Sequence, residues 1–262
     1  MYSEILFELV GPIARITLNR PERRNPIGPT TLGELAHALG RSKSEAAARV
    51  VVLTGAGKAF SAGGDLASFA GRSNDAPPAI APASFVDIFL ALQRLGKPSI
   101  AMVNGHALAG GLGLVVACDL AIASEEAQFA TPEINVGLWP MMISALIVRN
   151  VGRKRALELM LTGDRISAAE AAASGLITRA VPKAELETAV TTLAEKLAQK
   201  SPQIMALGLR AFYQTQDLEL EPALRHLEGE LATILATDDA REGLMAFLEK
   251  RPPHWPSVKK AT

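Results

Sequence analysis

Glu133 stands in the stretch "FATPEINVGLWP" (129–140), directly after a proline and among apolar neighbours. A carboxylate there is poorly solvated unless paired, and poor solvation raises its pKa towards the value a general acid–base needs. A charge at a helix start or a salt bridge is the structural alternative. Two glycine-rich stretches accompany it, "GAGKAFSAGGDL" (55–66) and "NGHALAGGLGLVVACDL" (104–120), the second with glycines at 105, 110, 111 and 113. Each follows a strand-like run and leads towards a helix. Glycines at such places let the backbone approach a ligand closely and leave N–H groups free. Each alone also reads as a tight turn or close helix packing. Two such loops together suggest the paired donors of an oxyanion hole.

Other chemistries find less support. There is no GxxxxGK[ST], "GGLGL" lacks the GxGxxG spacing, and no serine sits in GxSxG. Asp65, after two glycines, reads as a turn or helix N-cap residue, and His106, after Asn104-Gly105, as structural. The histidines at 37, 106, 226 and 254 have no metal-ligand spacing, and the single cysteine, Cys118, sits in an apolar context. No metal site and no disulfide are expected.

The elements that must position these loops follow from periodicity. "IARITLNRP" (13–21) alternates like a strand and stops at proline. "ARVVVLTGAG" (48–57) is a continuous β-branched run, expected to be a strand buried on both faces. "KPSIAMVNGHA" (97–107), "CDLAIAS" (118–124) and "LITRAVP" (176–182) read as further strands. "TTLGELAHALGRSKS" has leucines at helical spacing behind Thr30 or Thr31 as N-cap. "FVDIFLALQRLG" (85–96) reads as an amphipathic helix, and 152–177 as helix, turn, helix, with Ser167 as the second N-cap. The Pro/Gly/Ser/Asn-rich stretch 71–84 has no period and reads as a mobile loop. From Lys183 to Lys250 the pattern is helical, with a break at Ser201-Pro202. Alternation of strand and helix followed by a helical tail predicts an α/β core with a helical C-terminal region. The tail's apolar surface must pack on the core or on another subunit.

Composition bounds the partners. The 262 residues are 48% hydrophobic, enough for a substantial core. Lys+Arg and Asp+Glu both number 27, so the net charge of zero argues against a generic polyanion binder. The first eleven residues carry two acids and no basic region, unlike a signal peptide. The longest uncharged apolar run, 107–118, is too short to span a bilayer. A soluble, cytoplasmic protein without nucleic-acid or membrane partners is the expectation.

Six stretches, in order along nearly the whole chain, carry a resemblance: "LNRPERRNPI", "LTGAGKAFSAGGDL", "VNGHALAGGLGLVVACDLAIAS", "FATPEINVGLWP", "LMLTGDRISAAEAAASGLITRAVP" and "EGLMAFLEKRPPHW". The chain resembles the crotonase superfamily, the enoyl-CoA hydratase/isomerase family. The resemblance implies a crotonase-type spiral of ββα turns over residues 1–190. A helical region over 191–262 would make trimers, usually paired into hexamers. It implies an acyl-CoA thioester as substrate, with coenzyme A arriving as part of that substrate and no permanently bound cofactor. Gly64 and Gly110 match the two N–H donors that hold the thioester oxygen, and Glu133 matches a catalytic glutamate. Ala62 matches a position whose backbone meets the adenine, with Asp65 in the same coenzyme A loop. Arg23 and Arg24 lie where the family places phosphate contacts. Phe247 and Lys250 match tail residues that reach the coenzyme A of a neighbouring subunit.

The sequence departs from the pattern at Gly113, where family hydratases carry a second glutamate, and at Ala67, where the family's usual lysine is missing. One glutamate suffices to move a double bond, taking a proton from C2 and returning it at C4. It would orient a water poorly. Isomerisation is therefore expected ahead of hydration with a relocated second acid, for which Asp75 is a weak candidate. An inactive member that binds acyl-CoA or a partner is the reading from another class. Gly113 is further expected to widen the acyl pocket, with Trp139, Met141 and Met142 as wall residues.

Overall fold

The computed structural model describes residues 2–69 and 80–258. The strands are β1 (Ile5–Val10), β2 (Ile13–Leu18), β3 (Pro26–Ile27), β4 (Val50–Gly55), β5 (Ala59–Ser61), β6 (Gly63–Gly64), β7 (Ser99–Val103), β8 (His106–Leu108), β9 (Leu120–Ser124), β10 (Gln128–Ala130), β11 (Ile166–Ser167) and β12 (Arg179–Val181). The helices are α1 (Pro29–Ser44), α2 (Leu66–Phe69), α3 (Phe85–Gln93), α4 (Gly110–Ala117), α5 (Met141–Asn150), α6 (Arg153–Thr162), α7 (Ala168–Ala173), α8 (Leu186–Ala198), α9 (Pro202–Thr215), α10 (Leu220–Leu235) and α11 (Asp238–Leu248).

The main sheet has the order β1-β2-β4-β7-β9-β12, antiparallel at β1-β2 and parallel from β2 onwards. A second sheet runs β11-β10-β8-β5, and β3 pairs with β6. The sequence thus climbs in repeated turns: a strand of the main sheet, a strand of the second, then helix. β4-β5, β7-β8 and β9-β10 begin three such turns. This is the crotonase-type spiral.

All six residues of β4 are buried, as its unbroken β-branched run requires. Successive side chains alternate between faces. Val51 and Leu53 join the central cluster with Ile16, Phe60 and Leu112. Val50 and Val52 join a second cluster with Ile100 and Ile122, roofed by Leu186, Val190 and Ala194 of α8.

Two boundaries differ from expectation. Helix α1 is capped by Gly28 with Pro29 at its first turn, and Thr31 lies inside it as the third residue. Proline's fixed φ suits the first helical turn, which moves the start upstream of the threonines. The division at 190/191 falls inside α8, a single helix lying flat on the sheet. The helices clear of the sheet begin at α9. Ser167 caps α7 as expected, with Glu170 closing a capping box. Residues 71–79 of the expected loop, Asp75 included, lie outside the described residues.

The helical region is tied back by polar staples. Tyr213 of α9 donates to Asp119 at 2.5 Å, and Asp119 also accepts from the Ser99 N–H at 2.7 Å. Trp255 donates its indole N–H to Gln199 O at 2.8 Å, and Arg251 pairs with Glu242 at 2.6 Å. Helix α10 has no buried residue. Among the described residues, no helix is long and apolar enough to cross a membrane.

Candidate active site

The second sheet assembles the site. β5, β8 and β10 run parallel, with Ser61 opposite Ala107 and with Phe129 and Ala130 opposite Ala107 and Leu108. Their C-terminal ends therefore lie side by side, where open parallel sheets bind ligands. From those ends emerge the chain to Gly64, the chain to Gly110 and the chain to Glu133. Glu133 lies three residues past Ala130, and Gly110 two past Leu108. The Ala109 N–H donates to Ala130 O at 2.9 Å, locking the last two together. The first two touch directly. A Cβ placed on Gly63 would lie 2.5 Å from Ala109 Cβ and 3.3 Å from Gly110 N, so only glycine permits the approach.

Gly110 is the first residue of α4 and has no helical carbonyl behind it to bond. Among the described residues its N–H meets no acceptor, so it projects with the positive end of the helix dipole behind it. Ala109 before it has φ 50°, a region L-residues rarely adopt. Gly64 lies in β6, opposite Ile27 of β3.

Glu133 sits in a short 3-10 turn, Pro132–Val136, half-buried. The turn is fixed by Leu138 N–H donating to Glu133 O at 3.0 Å and by Thr131 Oγ1 donating to Leu159 O at 2.8 Å. Its Oε2 is buried with no hydrogen-bond partner among the described residues. Burial pushes its pKa above the usual carboxylate range, opposed in part by a backbone hydrogen bond. No salt bridge to it is seen among the described residues, so the ion-pair alternative falls.

Residues 9–258 match the enoyl-CoA hydratase/isomerase family model. The chain belongs to the enoyl-CoA hydratase/isomerase family. It is 35% identical over 243 residues to the human mitochondrial enoyl-CoA hydratase domain-containing protein 3, covering 93% of this chain and 80% of that one. An enoyl-CoA hydratase structure from Mycobacterium smegmatis superposes with TM-score 0.88 at 35% identity, covering 97% of this chain and 99% of the other. One from Bacillus anthracis gives 0.88 at 33% identity, over 97% and 99%.

Against that family background, Gly113 behaves differently from the expectation. A Cβ there would lie 2.3 Å from Ile143 Cγ2 and 2.9 Å from Phe89 Cζ. The space beside the glycine is filled, because Ile143 of α5 and Phe89 of α3 lie directly against it. Phe85 does the same one turn earlier, its ring 2.6 Å from a Cβ built on Gly110. Phe85 and Phe89, spaced i and i+4 on α3, thus lie on Gly110 and Gly113 of α4, i and i+3. Reading residues one at a time missed this trio of Phe85, Phe89 and Ile143. The signal was the matching of a phenylalanine pair to a glycine pair at helical spacing.

Asp65 is buried and fully engaged: its carboxylate accepts from Arg23 at 3.2 Å, Arg20 at 3.5 Å and the Ala67 N–H at 3.1 Å. It holds the start of α2 and the 20–23 turn, which is the capping role, and leaves little of the carboxylate for coenzyme A. Asn25, buried at φ 55°, staples that turn to the β4-β5 connection, donating to Ala56 O and Ala59 O at 2.9 Å. Arg24 and Ala62 meet through Ala62 N–H donating to Arg24 O at 2.8 Å. His106 sits in β8 with a buried Nδ1 that has no partner among the described residues, and burial with the nearby Arg165 and Arg24 charges lowers its pKa.

Trp139, Met141 and Met142 are exposed in the single chain, with Val136 and Leu138 beside them. Phe247 is 82% exposed, and Lys250 follows at φ 55° beyond the end of α11.

Proposed function

We propose that this chain moves the carbon–carbon double bond of an enoyl-CoA thioester between the 3,4 and 2,3 positions. The Gly64 and Gly110 N–H groups hold the thioester oxygen. Glu133 removes a proton from C2, the negative charge spreads from the oxygen to C4, and the same carboxyl returns the proton at C4. Each donor of such a pair is worth about 3–4 kcal/mol to the charged intermediate. The observation that carries this reading is the apolar filling beside Gly113. Ile143 and Phe89 occupy the space a second carboxylate at 113 would need, and Glu133 keeps a buried Oε2 without a hydrogen-bond partner among the described residues. Coenzyme A enters with the substrate. Arg23, Arg24 and Ala62 lie on one edge of the loops, and Phe247 and Lys250 serve a neighbouring subunit in a trimer or a pair of trimers.

Hydration of 2-enoyl-CoA is the second reading, favoured by the names of the relatives. Incubation with 3-enoyl-CoA and 2-enoyl-CoA, followed by chromatography of the products, separates the two. Rapid formation of 3-hydroxyacyl-CoA from 2-enoyl-CoA would overturn the isomerase reading. Glu133→Gln should lower turnover by about 10²–10⁴-fold while thioester binding persists. Wild-type activity in that variant would remove Glu133 as the base. An absence of turnover across short, long and branched thioesters would leave only a binding role.

A further inference from the structure

A cavity of about 1060 Å³ opens at the end of the main sheet opposite the catalytic loops. Its walls include Ala48 and Arg49, which precede β4, and Pro98, which precedes β7. The loops to Gly64 and Gly110 leave from the far ends of those turns, so the strands' length, roughly 15–20 Å, separates the two places. The opposite wall is α9 with the C-terminal tail at Ser257 and Val258.

The walls carry six cations and no carboxylate: Lys43, Arg49, Arg94, Lys97, Lys200 and Arg210. This is a marked asymmetry in a chain of zero net charge. Some of that charge has a structural use. Lys43 donates to Arg94 O at 2.7 Å, Lys97 to Ser42 O at 2.6 Å and Glu45 O at 2.7 Å, and Arg49 to Lys200 O at 2.5 Å. These bonds seat cations on the carbonyl ends of α1, α3 and α8, where the helix dipoles favour them. Dipole ends offset only about half a charge each. Arg210 pairs with Glu230 at 2.9 Å, and Glu45 and Asp239 act on Lys97 and Arg49 from nearby. Lys43, Arg94 and Lys200 have no carboxylate partner among the described residues. The remaining lining combines the aliphatic Leu95, Leu197, Met205, Leu207 and Val258 with the polar Gln93, Tyr213, Gln214 and Ser257. Positive charge at the rim over an apolar floor is complementary to one kind of small molecule.

We propose that this cavity binds an anionic amphiphile, a carboxylate or phosphate on an aliphatic chain, one per subunit and apart from the thioester site. Arg94 and Lys200 meet the anion, and the aliphatic chain lies along Leu197, Met205 and Leu207. The site is independent of the reaction assigned above.

Calorimetric titration of the full-length assembled protein tests this with decanoate, decyl phosphate, decanol and inorganic phosphate. Decanoate or decyl phosphate should bind once per chain, and decanol about tenfold more weakly or worse, since charge-assisted bonds are lost. Arg94→Ser/Lys200→Ser should weaken decanoate about tenfold without changing thioester turnover. Ala206→Leu, which adds bulk to the α9 wall, should abolish it. Saturating coenzyme A should leave it unchanged. Absence of heat with both anions, equal binding of decanol, displacement by coenzyme A, or undiminished affinity in the double variant would each overturn the proposal.

Discussion

Gly113→Ala tests the account of α4. Alanine in place of an interior helical glycine ordinarily stabilises by up to about 1 kcal/mol. Here the added Cβ would lie 2.3 Å from Ile143 Cγ2 and 2.9 Å from Phe89 Cζ. Neither neighbour yields easily, one being a methyl on a β-branched carbon and the other a ring in the core. Overpacking of this kind costs about 1–3 kcal/mol, and two contacts under 3.0 Å place it at the upper end. The net expectation is a loss of about 2 kcal/mol, or roughly 4–8 °C in Tm for a chain of this size. Ile143→Leu removes the offending methyl at nearly constant volume and alone should cost less than about 1.5 kcal/mol. The double variant should then be more stable than the sum of the singles by about 1 kcal/mol, the coupling that contacting residues show. Gly40→Ala, in the exposed face of α1 with nothing within 4 Å of the new Cβ, provides the opposite sign and should raise Tm. Thermal unfolding followed by circular dichroism reads all four proteins. A Gly113→Ala protein as stable as wild type, or a double variant that is merely additive, would refute the packing argument and reopen the space for a second acid.

As the proposed base, Glu133 must be ionised, so kcat/KM should fall with decreasing pH along a limb lying above the ordinary carboxylate pKa, because burial raises it. By linkage, a carboxyl whose folded pKa exceeds its unfolded one adds stability at low pH and loses it as pH rises through the folded value. Glu133→Gln should therefore unfold no earlier than wild type at neutral pH, and a lowered Tm would show that the carboxylate has a partner. Asp65→Ala should cost about 1–3 kcal/mol by removing the buried acceptor of the Ala67 N–H and of Arg23, Arg20 keeping Glu4 at 3.0 Å, seen as an earlier urea midpoint. An unchanged midpoint would argue that the 20–23 turn is held by Asn25 alone. Leu220, Leu224, Leu227, Leu231 and Leu235 form one exposed stripe on α10. Leu224→Lys/Leu231→Lys should convert a trimer or hexamer to smaller species in sedimentation velocity, and a wild-type monomer at micromolar concentration would remove the expected assembly.

The parts of this chain legible in its sequence are those whose physical cause is local. The continuous β-branched run before Gly55 reads as a strand buried on both faces, and Ser167 announced a helix start. The proximity of the three loops was not local. It comes from the register of β5, β8 and β10, strands three residues long, which no periodicity could reveal. The family resemblance supplied that juxtaposition, and the parallel pairing gives its reason. Gly113 shows the limit most clearly. A missing side chain says what chemistry is lost, and nothing about what fills the space, because the filler comes from helices 24 and 30 residues away along the chain (Phe89 and Ile143). Glycine here is an accommodation to neighbours. Both phenylalanines of α3 and the isoleucine of α5 press onto one face of α4, and a helix with glycines at 110 and 113 is the only one that can receive them. The same packing that leaves no room for a second carboxylate also presses on the first turn of α4, from which the Gly110 N–H projects. Under the proposed function, the absence of a second acid and the placing of the Gly110 N–H share one structural cause. A variant that reopens space at Ile143 should loosen the donor before it restores any water chemistry.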